Sequence, residues 1–171
     1  VGGIVLQGRV SNDVRVMQAL ERMRKCRAVV VGDFLLDAYM YGETSRVSRE
    51  APVLVVHRRG TEYRLGGAAN TAANVRALGA QVDVVGLVGT DLIGIELRRL
   101  LSLCGASASS LREIKGSTGL KTRILAGAQG TGKQQVLRLD DEATPPDDAA
   151  EDLLLHDLEQ RAANADVVLV S

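Results

Sequence analysis

The chain has 171 residues, long enough to bury a core as one domain, and 46% of them are hydrophobic, which excludes a disordered composition. Lys plus Arg and Asp plus Glu each total 21 and aromatic residues supply only 2%, so neither an electrostatic footprint for nucleic acid nor a base-stacking surface is expected. Cys26 and Cys104 lie far apart without metal spacing, the first residues lack a secretory h-region, and no apolar run approaches the roughly 20 residues of a membrane span; a soluble cytoplasmic protein is expected, with no membrane partner.

Taken in chain order, Ser11 or Asn12 is placed to cap a helix reaching about residue 25, with Val14, Met17, Leu20 and Met23 on one packing stripe. Residues 28–31 are apolar and β-branched and stop at Gly32-Asp33, as a buried parallel strand does. From 39 to 65 the pattern turns half-polar. Alternation over 53–57 and a turn at Arg58-Arg59-Gly60-Thr61 predict an antiparallel flap. A helix over 69–78 should end at Gly79, followed by a buried strand over 82–88 and a helix from 92 to 103 ending near Gly105. Strands over 120–126 and 135–139 flank GAQGTGK and predict a hairpin. Asp147 or Asp148 opens a helix to about 164, and 165–170 forms a third apolar strand. Alternating strands and helices predict a mostly parallel sheet with helices on both faces, and the two flap segments a small antiparallel β lid. The last strand ends where a ligand loop of an open α/β sheet should begin, so a partial chain is expected, with an uncovered sheet edge that favours aggregation.

Several polar groups stand where such a sheet presents them to a ligand. Asp33 and Asp37 follow the first strand, and a carboxylate accepts hydrogen bonds from two hydroxyls of a diol. Asp33 equally suits a turn cap. Gly66-Gly67 lets backbone amides approach a small polar ligand, and Asn70 adds a group that both donates and accepts; close helix–strand packing is the alternative. Asn74 lies one helical turn beyond Asn70 on the same face. Lys121 and Arg123 alternate onto one face of their strand, as Arg138, Asp140 and Glu142 do on the partner, which suits either a phosphate or a solvated ion-pair ladder. Arg46 and Arg49 in the flap face the same choice. GAQGTGK spells G-x-x-x-x-G-K but is not a phosphate loop, because Gln134 replaces the magnesium-binding Ser or Thr and a strand follows. His57 and His156 have no metal-ligand companions at useful spacing.

Jointly, VVVGDFLLDAYMYG (29–42), TSRVSREAPVLVV (44–56), RLGGAANTAANVRALGAQVDVVGLVGTDLIG (64–94), KTRILA (121–126) and QQVLRLDDE (134–142) resemble the N-terminal half of a ribokinase-like carbohydrate kinase of the PfkB family. The GD-x-x-x-D-x-Y-x-Y-G opening and the SR-x-S-x-EAP phrase are similar to the bacterial kinases of D-glycero-D-manno-heptose 7-phosphate. The resemblance implies that 1–171 is the N-terminal part of one kinase domain, with lid segments at about 39–65 and 118–142. It further implies ATP-dependent phosphorylation of the anomeric hydroxyl of heptose 7-phosphate, on the route to ADP-heptose and lipopolysaccharide. Asp37, Gly66, Gly67 and Asn70 match the family's sugar-contacting positions, with Asp33, Lys121, Arg123 and Arg138 as further substrate-binding candidates. ATP and Mg²⁺ would be held largely by the absent half, as would the general base, whose G-A-G-D phrase does not occur here. This chain alone is therefore expected to bind sugar and not to turn over. The exposed lid strands offer a homodimer interface. A kinase of ribose, fructose or a nucleoside, and a non-catalytic sugar-binding fragment, remain the alternatives.

Overall fold

A computed structural model of the chain describes residues 7–128 and 130–171. A parallel sheet is built from β1 (Arg27–Val31), β4 (Gln81–Gly89), β5 (Ser107–Ile114) and β8 (Val167–Val170), in the order β5-β4-β1-β8. β1 lies in register between two neighbours, Val29 opposite Asp83 on one side and Val168 on the other. Ala28, Val29 and Val30 are all buried, as both faces of a covered parallel strand must be.

Alternate side chains feed different faces. Ala28, Val30, Val82, Val84 and Val88 join one cluster with Phe34 and Leu36, with Ala68, Ala69 and Ala72 of α2 (Gly67–Ala77), and with Leu97 and Leu101 of α3 (Leu92–Cys104). Three methyl-sized side chains let α2 sit close to the sheet, and Gly86 leaves room for the Phe34 ring, 2.3 Å from where a Cβ would stand. Burying a leucine such as Leu97 contributes about 1.5–3 kcal/mol. α4 (Asp148–Ala162) lies against β1, β4 and β5 and presents buried Asp157 to Arg112 of β5.

The second sheet is β3-β2-β6-β7, from β2 (Phe34–Val47), β3 (Leu54–Gly66), β6 (Gly119–Gly127) and β7 (Gln134–Asp141). The expected lid is antiparallel, whereas the observed one is mixed: β2 runs antiparallel to β3 but parallel to β6, placing Asp37 beside both Arg64 and Lys121. One further expectation fails here. Arg58-Arg59-Gly60-Thr61 is not a turn but the middle of β3, and the chain reverses at 48–53 instead. The half-polar residues were compatible with either, and pairing with Met40 to Gly42 decided it, absorbed by register shifts at Tyr41/Gly42 and Thr44/Arg46. The β6–β7 hairpin over GAQGTGK forms as expected, although residue 129 lies outside the described part.

α1 (Gln7–Met23) starts before Ser11 and Asn12, so those positions are interior to the helix and do not cap it; their side chains lie outside the description. The expected packing stripe is largely unpacked, with Val14 and Met17 at least half exposed. β5 was not foreseen, because SASSLREI lacks both an apolar run and clean alternation. Other boundaries agree with expectation: Asp147 caps α4 by accepting from the Ala150 amide, and Gly105 closes α3 at φ +78°.

Candidate functional site

The carboxyl ends of β1 and β4 and the foot of the second sheet enclose a cavity of about 490 Å³, whose wall includes Gly32, Asp33, Gly89, Thr118, Lys121 and Asp140. Ligands of open α/β sheets occupy this position.

Asp33 sits in the connection after β1, exposed, with its backbone engaged: the amide donates to the Ser171 carbonyl and the carbonyl accepts from the Ala68 amide at 2.9 Å. Its carboxylate has no hydrogen-bond partner among the described residues and is left facing the cavity region, not capping a turn. Asp37 is not in that connection. It lies inside β2, where period two puts it on the same face as Leu35 and Tyr39.

Gly66 ends β3 and precedes α2; Gly67 starts the helix at φ +52°, a left-handed conformation that only glycine adopts without strain. A Cβ on Gly67 would lie 2.4 Å from the Asp33 carbonyl oxygen, and one on Gly66 would lie 3.1 Å from Asp37 Oδ2. The diglycine turn is thus packed against both candidate aspartates, and Asp37 Oδ2 points along it. Asn70 is exposed on the first turn of α2, and its Oδ1 and carbonyl oxygen accept from the Asn74 amide at 3.2 and 3.0 Å. Asn74 therefore orients Asn70, and the two act as one amide pair.

Across the sheet, Lys121 stands opposite Asp37 and Asp140, and Arg123 opposite Tyr39 and Arg138. The Arg123 guanidinium donates to Asp37 Oδ1 and lies 5.3 Å from the Tyr39 ring centroid, with Arg64 over the same ring at 4.8 Å. Hydrogen bonding to Asp37 raises the Arg123 pKa above its already high value, so this cation is permanent. Arg138 grips Asp140 through two hydrogen bonds within β7, which hold the Asp140 carboxyl below the ordinary carboxylate range. Lys121 makes no ion pair among the described residues. The cation face therefore forms, but not as the cross-strand ladder with Asp140 and Glu142: Glu142 lies beyond the end of β7, Arg138 pairs within its own strand, and Arg123 reaches over to β2. Arg46 and Arg49 are exposed, away from this cluster of contacts.

Two contributions escaped the sequence. Tyr39 is a platform for two guanidiniums, and its signal was available, two residues beyond Asp37 on the same face. The other is a latch at the foot of the lid. Asp91 Oδ1 accepts from the Gly94 amide at 2.9 Å and the Thr118 hydroxyl at 2.7 Å, Oδ2 accepts from the Thr118 amide at 3.0 Å, and the Gly89 amide donates to the Thr118 hydroxyl. Thr118 directly precedes β6, so this network ties the lid strand to the β4–α3 turn.

Among the described residues no three metal-binding side chains gather, and no helix is long and apolar enough to cross a membrane. The arrangement can accept hydroxyl hydrogens at Asp37 and Asn70 and can hold an anion at Lys121 and Arg123.

Comparison with known proteins gives a consistent result. The model of the pfkB family carbohydrate kinases matches residues 25–171. The chain is 43% identical over 151 residues to D-beta-D-heptose 7-phosphate kinase of Bordetella bronchiseptica, covering 88% of this chain and 46% of that protein. It is 42% identical over 153 residues to bifunctional protein HldE of Citrifermentans bemidjiense, covering 88% and 30%. Among solved structures, ribokinase of Arabidopsis thaliana, complexed with ribose and ATP, superposes with a TM-score of 0.61 at 22% identity, covering 85% of this chain and 45% of that one. A carbohydrate kinase from Agrobacterium tumefaciens gives 0.58 at 18% identity, covering 85% and 45%. The fold is shared, and the chain spans less than half the length of these relatives.

Proposed function

Since this chain belongs to the pfkB family of carbohydrate kinases, we propose that it supplies the sugar-gripping part of a kinase that transfers phosphate from ATP to the anomeric hydroxyl of heptose 7-phosphate. The observation that carries the reading is the approach of the Asp37 carboxylate to the Gly66-Gly67 turn, beside a strand face bearing Lys121, Arg123 and Arg138. Hydroxyls of the sugar donate to Asp37 and meet the Asn70 amide, and Asp33 closes the cavity side. Lys121 and Arg123 hold the phosphate the substrate already carries; guanidinium and ammonium groups in a half-buried site bind phosphate oxygens through charge-assisted hydrogen bonds. The similarity to proteins named for heptose 7-phosphate supports that sugar over ribose, and the product then stands on the route to ADP-heptose and lipopolysaccharide.

ATP and Mg²⁺ belong to the proposed reaction, but the residues described here do not fit them. GAQGTGK is a hairpin connection followed by a strand, and among the described residues no cluster of metal ligands forms. The chain's own share of the work is binding and orienting the sugar, while the proton on the accepting hydroxyl is taken by a group this chain does not supply. The lid's outer edges, β3 and β7, with exposed Leu54, Val136, Leu137 and Leu139, are proposed to pair two copies. The protein acts in the cytoplasm in this reading.

The test is a sugar panel with ATP on a full-length protein carrying this chain. Phosphorylation of heptose 7-phosphate at C1 is expected, and activity confined to unphosphorylated sugars or nucleosides would refute the heptose assignment.

A further inference from the structure

The carboxylate best placed to grip sugar hydroxyls is already engaged. Asp37 Oδ1 accepts from the Arg123 guanidinium, while Oδ2 is directed along Gly66. Both partners are mostly buried, with side-chain exposures of 19% for Asp37 and 24% for Arg123, so the pair is not a loosely solvated surface contact. Each carboxylate oxygen can accept more than one hydrogen bond, so a diol spanning both oxygens of Asp37 competes with Arg123 for Oδ1. The diol is favoured when Arg123 leaves Oδ1, and a guanidinium drawn from a partly buried carboxylate needs a new anion to replace it.

The surroundings provide a place for that exchange. Lys121 lies opposite Asp37 without an ion-pair partner among the described residues, Arg138 lies opposite Arg123, and the Tyr39 ring gives the Arg123 guanidinium a surface to slide across. With Asp37 and Asp140 paired, the group of Lys121, Arg123, Arg138, Asp37 and Asp140 carries one net positive charge; a sugar phosphate brings the anion that the cations lack.

We propose that Arg123 is an exchangeable counter-ion: it covers Asp37 in the free protein and moves onto the substrate's phosphate, so that phosphate binding uncovers the carboxylate for the sugar hydroxyls. Phosphate and hydroxyl recognition are then one coupled event, and Arg123 sets the preference for phosphorylated sugars by making unphosphorylated ones compete with it for Asp37. This inference rests on the sugar-phosphate reading above.

The experiment is calorimetric titration of a full-length protein carrying this chain with D-glycero-D-manno-heptose 7-phosphate and with the unphosphorylated heptose, for wild type, Arg123→Met and Lys121→Met. Wild type should prefer the phosphorylated sugar by about 10- to 100-fold, the factor carried by one charge-assisted hydrogen bond. In Arg123→Met that preference should collapse from both sides, the phosphorylated sugar binding more weakly and the unphosphorylated one more tightly than in wild type. Lys121→Met should lose affinity for the phosphorylated sugar only. If Arg123→Met weakens the phosphorylated sugar but leaves the unphosphorylated one unchanged or weaker, Arg123 is a fixed contact and the exchange is overturned while the sugar-phosphate site stands. Binding of neither sugar by wild type removes both. Should Arg123→Met not fold, inorganic phosphate added to wild type decides the matter by NMR: the Arg123 Nε–H and Asp37 carboxyl carbon resonances should shift together over one concentration range. An Asp37 resonance unmoved while Arg123 shifts overturns the exchange.

Discussion

Replacing Asp91 by Ala tests whether the lid is fastened to the parallel sheet by the latch at its foot. The carboxylate accepts three hydrogen bonds, one closing the first turn of α3 and two from Thr118, which is only 3% exposed. Losing the cap costs typically about 1 kcal/mol, and stranding the buried amide and hydroxyl of Thr118 adds about 1–3 kcal/mol. A total near 3 kcal/mol corresponds to a fall of roughly 6–12 °C in Tm for a chain of this size. Urea denaturation of wild type, Asp91→Ala, Thr118→Val and the double variant gives the coupling directly, expected at about 1 kcal/mol or more. A loss no larger than that of an ordinary cap, with additive single effects, would refute the latch. The same carboxylate sets a pH signature. Burial pushes its pKa up, but hydrogen bonds from the Thr118 amide, the Gly94 amide and the Thr118 hydroxyl outweigh it and leave the pKa below the ordinary 3.8. Its folded pKa is thus the lower one, so its contribution is complete above about pH 3.8 and is lost as pH falls through the folded value. Acid titration of Asp91→Ala should show a shallower loss of stability over that window than wild type does.

Three further outcomes are expected. Gly67→Ala forces a side chain into φ +52° and brings a Cβ to 2.4 Å from the Asp33 carbonyl; a loss of about 2 kcal/mol in urea denaturation is expected, with sugar binding abolished in calorimetry, whereas Gly66→Ala, whose Cβ mainly meets the flexible Leu35 side chain, should cost about 1 kcal/mol or less. Leu97→Ala, at a fully buried position between α3 and the sheet, should lower unfolding free energy by about 2–5 kcal/mol without changing the ratio of affinities for phosphorylated and unphosphorylated sugar. Sedimentation should find a dimer at micromolar concentration that Leu137→Lys disrupts, and a monomer in wild type would remove the lid-pairing proposal.

The elements that the sequence by itself determined are those whose signals are local. Three β-branched residues ending at Gly32, a helix over 92–103 closed by Gly105, and Asp147 opening α4 each satisfy their own backbone within a few residues, so periodicity and helix-end signals suffice to place them. The glycine pair was legible for the same reason, since a positive φ at Gly67 is written into the residue type. Tertiary structure decided what depends on pairing between distant strands. SASSLREI becomes β5 only because β4 offers it a parallel edge, and Arg58 to Thr61 are extended only because β2 lies alongside. Which cation meets which carboxylate was likewise invisible: period two puts Lys121 and Arg123 on one face, the parallel register of β6 against β2 sets Lys121 directly opposite Asp37 and Arg123 opposite Tyr39, and the Arg123 guanidinium reaches diagonally from there to Asp37 while Lys121 makes no ion pair among the described residues. Side-chain alternation fixes a face, whereas an ion pair needs a position along it, and that coordinate is set by hydrogen bonding across the sheet.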